Sequence, residues 1–519
     1  MKRLMLYPFL FSLYPVLALL AHNAGEVRFE DALRSVFIIL VLMGLLLMVY
    51  RFFLGCWQKA AVLTSVSTLL FLSYGHIYHG LKEGFPIVSA VFRHRYLIPL
   101  NIVILSLVYV WVRRRRQIAD LTLYLNIVSV LLVIYPVLQI IQSEFAFNRA
   151  QHTSTTDPSL CHLSFPEGTD PPDIYYIILD AYARKDVLAD TYEFDNQPFL
   201  DELVRRGFYI ANWSQSNYAR TGISLGSSLN FSYYTERDGE YVVGEGLDHE
   251  GILSIGNNLV RKELGCLGYS TIAFDSGYYW SGWRDADYFL SPNEKSFGDL
   301  LLTRVNAFEA MLIHNSGGLI LKDTATLLSE DFNQAIESPF WAHRERVLFA
   351  IDRTGNWVPH LESPKFVFVH IVSPHPPYVF GLEGDGVTFE EPFTFIDNPD
   401  TEQTEIIKYR AQVLYLNTEI LEMIDKILEF SSRPPIIIIQ GDHGIGRGIR
   451  DRMSILNAYY LPDGGSQDLY ETISPVNTFR VIFNYYLGGN YVLLEDKSFF
   501  SEYDSLFDFT EFPNKHAVE

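Results

Sequence analysis

Residues 173–182 read Asp-Ile-Tyr-Tyr-Ile-Ile-Leu-Asp-Ala-Tyr. The six apolar residues Ile174–Leu179, rich in β-branched and aromatic types, are bracketed by two aspartates. A run this short and this continuous predicts a strand buried on both faces. Similar runs recur at Thr271–Phe274, Phe366–Ile371 and Ile436–Ile439, with helical patterns between them, notably Pro198–Arg206 and Ile406–Phe430. That alternation predicts an α/β fold in which a mainly parallel sheet carries helices on both faces. The sequence shows no internal repeat, low-complexity tract, Walker A loop or GxGxxG.

Upstream the composition changes sharply. Five apolar stretches fill the first 142 residues: Leu4–Ala21, Ser35–Gly55, Ala60–Tyr78, Tyr96–Val112 and Leu121–Ile141. Each approaches the ~20 residues a helix needs to cross a bilayer, and Tyr50, Tyr78, Tyr96, Trp111 and Tyr135 sit towards their ends as interface anchors do. Residues 1–142 are therefore expected to form a five-helix transmembrane domain, 143–172 a polar linker, and 173–519 a separate α/β domain. The basic run Arg113–Arg116 after the fourth stretch belongs in the cytoplasm by the positive-inside rule, and Met1-Lys2-Arg3 agrees. The fifth helix then runs outward and places 173–519 outside a cell membrane. The first stretch, ending Leu-Ala-His-Asn-Ala, also reads as a signal peptide; its removal leaves the same final side.

Charge narrows the partners. Residues 1–142 hold 13 Lys and Arg against 5 Asp and Glu, a balance of +8, so the remainder of a chain at −21 carries −29. So acidic a domain argues against nucleic acid, whose phosphates are held by Lys and Arg, and stays compatible with divalent cations. Cys56 reads as a packing residue. Cys161 and Cys266 could pair outside the cytoplasm or remain thiols; a separation in sequence does not decide which.

In an open parallel sheet ligands bind beyond the carboxyl ends of the strands. Here the first strand runs into Asp180, the strand Phe366–Ile371 into Ser373-Pro374-His375-Pro376-Pro377, and Ile436–Ile439 into Gly441-Asp442-His443-Gly444. Two carboxylates and two imidazoles at one sheet edge suit Zn²⁺ or Mn²⁺. Taken singly, Asp180 reads equally well as a helix cap, His443 as a turn residue and the His-Pro-Pro loop as surface. A fourth segment, Asn217-Tyr218-Ala219-Arg220-Thr221-Gly222-Ile223-Ser224-Leu225, places Thr221 near a helix start. There a hydroxyl gains from the dipole and from free N–H groups that also cradle phosphate or sulfate. The competing reading is a plain N-cap.

The ordered motifs PDIYYIILDAY, SNYARTGISLGSSLN, HIVSPHPPY and IIQGDHG resemble those of the sulfatase/alkaline phosphatase superfamily, over about residues 173–485. Within it they are most similar to membrane-bound phosphoethanolamine transferases and lipoteichoic acid synthases, which also carry about five N-terminal membrane helices. The resemblance implies an alkaline-phosphatase-like fold with Asp180, Asp442 and His443 as metal ligands. It makes Thr221 nucleophile and fourth ligand, and His375 a substrate or acid/base residue. Arg220, His370 and Arg447 are candidate substrate contacts, joined by Arg184, Lys185 and Arg450, although surface ion pairs explain these arginines and the lysine equally well. Two departures stand out. Sulfatases proper carry Cys-x-Pro-x-Arg, or Ser for Cys, whose first residue becomes formylglycine; this chain has Thr221-Gly222-Ile223-Ser224-Leu225. Relatives with a fuller metal site have a second Asp where this chain has Ala181, which favours one divalent ion, Zn or Mn before Mg or Ca.

The expected activity is transfer of a phospholipid head group, phosphoethanolamine or phosphoglycerol, through phospho-threonine to an extracytoplasmic glycan or lipid. Two alternatives stay open: a phosphate- or sulfate-ester hydrolase, and a non-catalytic membrane scaffold. The piece Ile473–Arg480 also resembles sulfatase-like membrane proteins, without a role.

Overall fold

The computed structural model describes residues 4–24, 27–84, 94–115, 119–152, 163–165, 170–237, 240–243, 255–278, 280–292, 305–325, 337–387, 393, 403–446, 448–502, 505 and 507–516. Cys161 and Arg447 lie outside the described residues. The chain divides into two compact units. One comprises Met1–Phe145, Lys295–Trp341 and Phe389–Thr394; the other comprises Ala146–Glu294, Ala342–Thr388 and Phe395–Glu519.

In the first unit the apolar stretches become helices α1 (Tyr7–His22), α2 (Phe29–Leu54), α3 (Trp57–Leu72), α4 (Tyr74–Gly84), α5 (His94–Arg114) and α6 (Ala119–His152). Two helices from later in the chain join them, α7 (Ala307–Asn315) and α8 (Gly318–Ala325). All five expected stretches are helical, but fewer have the length of a span. Phe29–Leu54, His94–Arg114 and Asp120–Phe145 qualify, and α3 with α4, bent by 44°, makes a fourth if the pair counts as one. With 16 residues α1 falls short. Large apolar side chains such as Phe52, Leu107 and Tyr135 stand exposed on these helices, a surface that lipid tails accept and water does not. Several polar atoms within them are paired. Asn126 accepts from the N–H groups of Leu6 and Tyr7, both at 3.0 Å, and donates to the Leu4 carbonyl at 2.8 Å. In hydrocarbon those groups have no water to turn to.

The second unit is built on a seven-stranded sheet in the order β2-β9-β8-β1-β7-β5-β6. Its strands are β1 (Ile174–Leu179), β2 (Tyr209–Ile210), β5 (Ser270–Phe274), β6 (Tyr288–Leu290), β7 (Lys365–Ile371), β8 (Ile436–Gln440) and β9 (Asn457–Tyr460). Two small ribbons, β3 (Tyr234–Arg237) with β4 (Glu240–Val243) and β10 (Phe499–Phe500) with β11 (Thr510–Glu511), lie apart from it. Strands β8, β1, β7, β5 and β6 run parallel, and β9 pairs antiparallel with both β8 and the edge strand β2. The expected α/β sheet is thus present, with an antiparallel edge that the sequence did not announce. Every side chain of β1 is buried, and each such Ile or Leu contributes about 1.5–3 kcal/mol. Register decides the rest. Leu179 pairs with Ile371 and Ile178 with Gln440, so β1, β7 and β8 end side by side and the residues that follow them share one edge.

Ile473–Arg480 acquires a structural role. Pro475–Tyr486 is a helix whose Phe479 packs edge-on against Tyr176, with ring centroids 5.1 Å apart. Thr478 donates to Gln440 at 3.3 Å, and Val476 N–H donates to the Asn217 side chain at 2.8 Å. Arg480 donates to the carbonyls of Phe231 and Val492. The segment braces the sheet and both flanks of the helix that begins at Thr221.

Candidate active site

Asp180 follows β1, with no exposed surface. The next residue, Ala181, takes φ +60°, a conformation that costs a non-glycine residue roughly 1–2 kcal/mol. Its surroundings hold it there. Tyr409 donates to the Ala181 carbonyl at 2.9 Å and accepts from Ala183 N–H at 3.2 Å, while Ala181 N–H donates to Asp442 Oδ1 at 3.0 Å. The position where fuller metal sites carry a second Asp therefore serves to fix the carboxylate of Asp442.

Asp442 and His443 follow β8 between two glycines that have no alternative. A Cβ on Gly441 would meet the Tyr182 carbonyl at 2.6 Å, and one on Gly444 the Asp451 carbonyl at 2.1 Å. His443 Nδ1–H donates to the Gly444 carbonyl at 2.8 Å, which makes Nε2 the nitrogen with a lone pair to offer. That Nε2 lies 3.1 Å from Thr221 Oγ1, 3.4 Å from Asp442 Oδ2 and 3.7 Å from Asp180 Oδ1. His375 likewise gives its Nδ1–H to the Pro376 carbonyl, and ligand atoms of Asp180, His375 and His443 lie within 4.8 Å of one another, all buried. Asp180, Asp442, His443, Thr221 and His375, drawn from four segments, thus converge.

Thr221 opens the helix Thr221–Leu229, and the N-cap position is Arg220, in extended conformation. The Thr221 hydroxyl points to His443 Nε2.

His370 on β7 sits behind the cluster. Its Nε2–H donates to Asp180 Oδ2 at 3.2 Å, and its Nδ1 accepts from Ser281 at 2.9 Å. Its ring lies parallel to Tyr278 at 6.0 Å. It orients Asp180. Arg184 donates to Asp186 and to the Ser214 carbonyl, and Arg450 to Asp186 and Asp190. These two candidate phosphate contacts are spent on ion pairs.

Sequence reasoning passed over Arg452 and His343. Arg452, buried in the short helix Ile449–Met453, donates to the Ala219 carbonyl at 2.9 Å and to His443 Nε2 at 3.3 Å. Burial, with Arg220 beside it, pushes its guanidinium down to about 9. A cation held under those conditions gains from an anion in the same pocket. The only sequence signal was an Arg nine residues after the GDHG histidine. His343, in the helix Ser338–Asn356, is fully buried near His375 and Asp180; burial, then Arg346 and His375, keep it well below the ordinary imidazole range.

A divalent ion fits this arrangement. Asp180 Oδ1 and Asp442 Oδ2 are buried oxygens without a hydrogen-bond partner among the described residues. Leaving such an oxygen unpaired in a protein interior is costly. Burial, and then the charge of Asp180, raise the Asp442 carboxyl above its usual range. Burial also works against Asp180, but His375, His370 and His443 hold it below that range. Burial lowers His375, so its ring is neutral at pH 7. Two carboxylate oxygens and two imidazole nitrogens form a donor set that suits a divalent metal ion.

No family model and no curated protein matches the sequence. Solved structures do. The C-terminal periplasmic domain of EptC from Escherichia coli aligns at 15% identity and TM-score 0.40 over 67% of this chain and 97% of that one, and the same domain has been solved in complex with Zn. The integral membrane lipooligosaccharide phosphoethanolamine transferase A of Neisseria meningitidis aligns at 11% identity and TM-score 0.37 over 91% of this chain and 94% of that one. The lipoteichoic acid synthase LtaP of Listeria monocytogenes aligns at 14% identity and TM-score 0.35, over 65% and 76%. The likeness is one of fold.

Proposed function

We propose that the chain is a membrane-anchored, metal-dependent phosphotransferase that moves a phospholipid-derived head group, phosphoethanolamine or phosphoglycerol, to an extracytoplasmic glycan or lipid. The observation that carries this reading is the placement of Thr221 Oγ1, at a helix N-terminus and 3.1 Å from a buried His443 nitrogen that two carboxylates also face. Asp180, Asp442, His443 and Thr221 are the proposed ligands, with His375 joining them through Nε2.

A divalent ion bound there lowers the pKa of an alcohol and neutralises phosphoryl charge. Thr221 Oγ attacks phosphorus in line; the Thr221 O–P bond forms as the P–O bond to the lipid alcohol breaks. The departing alkoxide takes up a proton, and the threonine proton leaves to solvent. An acceptor hydroxyl then attacks the phospho-threonine, restoring the free Thr221 oxygen. Arg220 and Arg452 supply positive charge to the phosphoryl oxygens, and the helix N-terminus supplies N–H groups. Asp180 keeps its orientation through His370.

A hydrolase would use the same first half-reaction with water as acceptor. The apolar surface of α2, α5 and α6 favours a lipid donor, hence transfer, over that alternative. Mass spectrometry of protein incubated with phosphatidylethanolamine or phosphatidylglycerol tests the reading. An adduct on Thr221 bearing the head-group mass is expected; absence of any adduct, with turnover present, rejects phospho-threonine.

A further inference from the structure

Between β6 and β7 the chain leaves the sheet-bearing unit, and Lys295–Trp341 is counted with α1–α6 instead. What α7 and α8 do there is specific. Asn306 and Glu309 form a reciprocal capping box that starts α7. Both residues also reach away from their own helix. The Glu309 carboxylate, almost fully buried, receives two hydrogen bonds from the guanidinium of Arg34 on α2, the forked geometry that makes Arg–carboxylate pairs strong. The Asn306 amide donates to the Asp31 carbonyl at 2.9 Å.

Apolar contacts follow the same seam. Phe308 and Met311 pack with Val16, Leu19 and Leu20 of α1, with Ala32 of α2, and with Ile140 of α6. Burying two such side chains removes apolar surface from solvent and favours the contact. At the end of α7 the fit tightens to backbone contact. Gly317 N–H donates to the Phe71 carbonyl at 2.6 Å. A Cβ on Gly317 would fall 2.4 Å from the Phe71 ring, and one on Gly75 would fall 2.2 Å from the His314 carbonyl. Only glycines let these backbones approach so closely. His314 then stacks on His79 of α4 at 4.2 Å. An ion pair, an apolar plug and a glycine seam are more than a passing loop requires.

We propose that residues 305–325 are a second, non-covalent attachment of the sheet-bearing chain to its own membrane helices, with the surface of α1–α4 as receptor. On this view the connection through residues 146–172 is dispensable for holding the two parts of the chain together. The inference does not depend on the chemistry proposed for Thr221.

The test is a single cut. A site for a specific protease is placed between residues 153 and 158 of the full-length protein, which is purified in mild detergent, cleaved and passed over a sizing column. The two fragments are expected to co-elute. Separation of the otherwise unaltered protein after cleavage overturns the proposal. Gly317→Leu should separate on cleavage, with the released C-terminal fragment melting at the temperature of its counterpart transition in the uncut protein. Co-elution of the cleaved Gly317→Leu fragments overturns the assignment of the seam. Should Gly317→Leu fail to fold, Arg34→Ala combined with Phe308→Ala carries the same test, and its co-elution has the same meaning.

Discussion

Thr221 Oγ1 and His443 Nε2 lie 3.1 Å apart although 222 residues separate them in the chain. Neither residue reaches the other by local structure. Thr221 is delivered by a helix start whose flanks are tied down by Asn217 and Arg480, and His443 by a strand end between two glycines that admit no side chain.

Thr221→Ala is expected to lower turnover by several powers of ten, each worth about 1.4 kcal/mol of barrier. Its melting temperature should change little, because Arg220 and not Thr221 occupies the N-cap position. Thr221→Ser should recover part of the activity. Turnover and thermal melts on the two variants decide it; early melting of Thr221→Ala with normal turnover returns the residue to a capping role.

Asp442→Asn keeps an acceptor for Ala181 N–H and removes a buried charge. In chelator-treated protein the variant should melt higher than the parent at pH 7, because burial and Asp180 make the Asp442 charge unfavourable when nothing neutralises it. Added Zn²⁺ or Mn²⁺ should reverse the order, stabilising the parent more. Metal content by mass spectrometry and melts with and without chelator supply the check. Equal metal content in both proteins removes Asp442 from the ligand set.

His375 separates two roles. As a ligand, His375→Ala should lose bound metal and activity together; as an acid or base alone, it should lose activity at full metal content. The neutral ring held by the Pro376 carbonyl points to the first outcome. Metal stoichiometry of the purified variant is the deciding number.

Asp186 predicts an acid-dependent stability. Burial works to raise its carboxyl, but hydrogen bonds and charge from Arg184 and Arg450 prevail and hold it below the usual range. A carboxyl depressed in the folded state stabilises above its unfolded pKa of about 4, and that contribution is lost as pH falls towards the folded value. Asp186→Asn should therefore lower the melting temperature at pH 6–7, with the gap to the parent narrowing below about pH 4. A gap that does not change with pH would show that Asp186 acts through shape alone.

Asn217→Ala tests the brace. The Asn217 side chain, fully buried, accepts from Val476 N–H and donates to Ser474 Oγ at 2.9 Å and to the Lys497 carbonyl at 2.8 Å. Leaving such partners unsatisfied costs on the order of 1–3 kcal/mol each. A loss of about 2–4 kcal/mol in denaturant unfolding is expected, together with reduced turnover, since Thr221 follows four residues later.

The sequence by itself determined what depends on neighbours along the chain. Unbroken β-branched runs had to be buried strands, so β1, β7 and β8 were legible to within a residue, and parallel strands must end on one edge, which put Asp180, Asp442, His443 and His375 within reach of one another. Long apolar stretches had to be helices, although α1 is too short and α3–α4 too bent for length alone to make each a span. What only the tertiary structure decided depends on partners hundreds of residues away. Arg184 and Arg450 looked like Arg452 in sequence, yet the first two meet Asp186 while the third is buried beside His443. Ala181 looked like a missing ligand and proved to be a strained turn that fixes Asp442. Glu309 carries no local signal in the sequence, and it is the anchor that Arg34 holds. Charge and burial of these residues are properties of the pocket each one enters, and a pocket made by distant segments leaves no local periodicity to read.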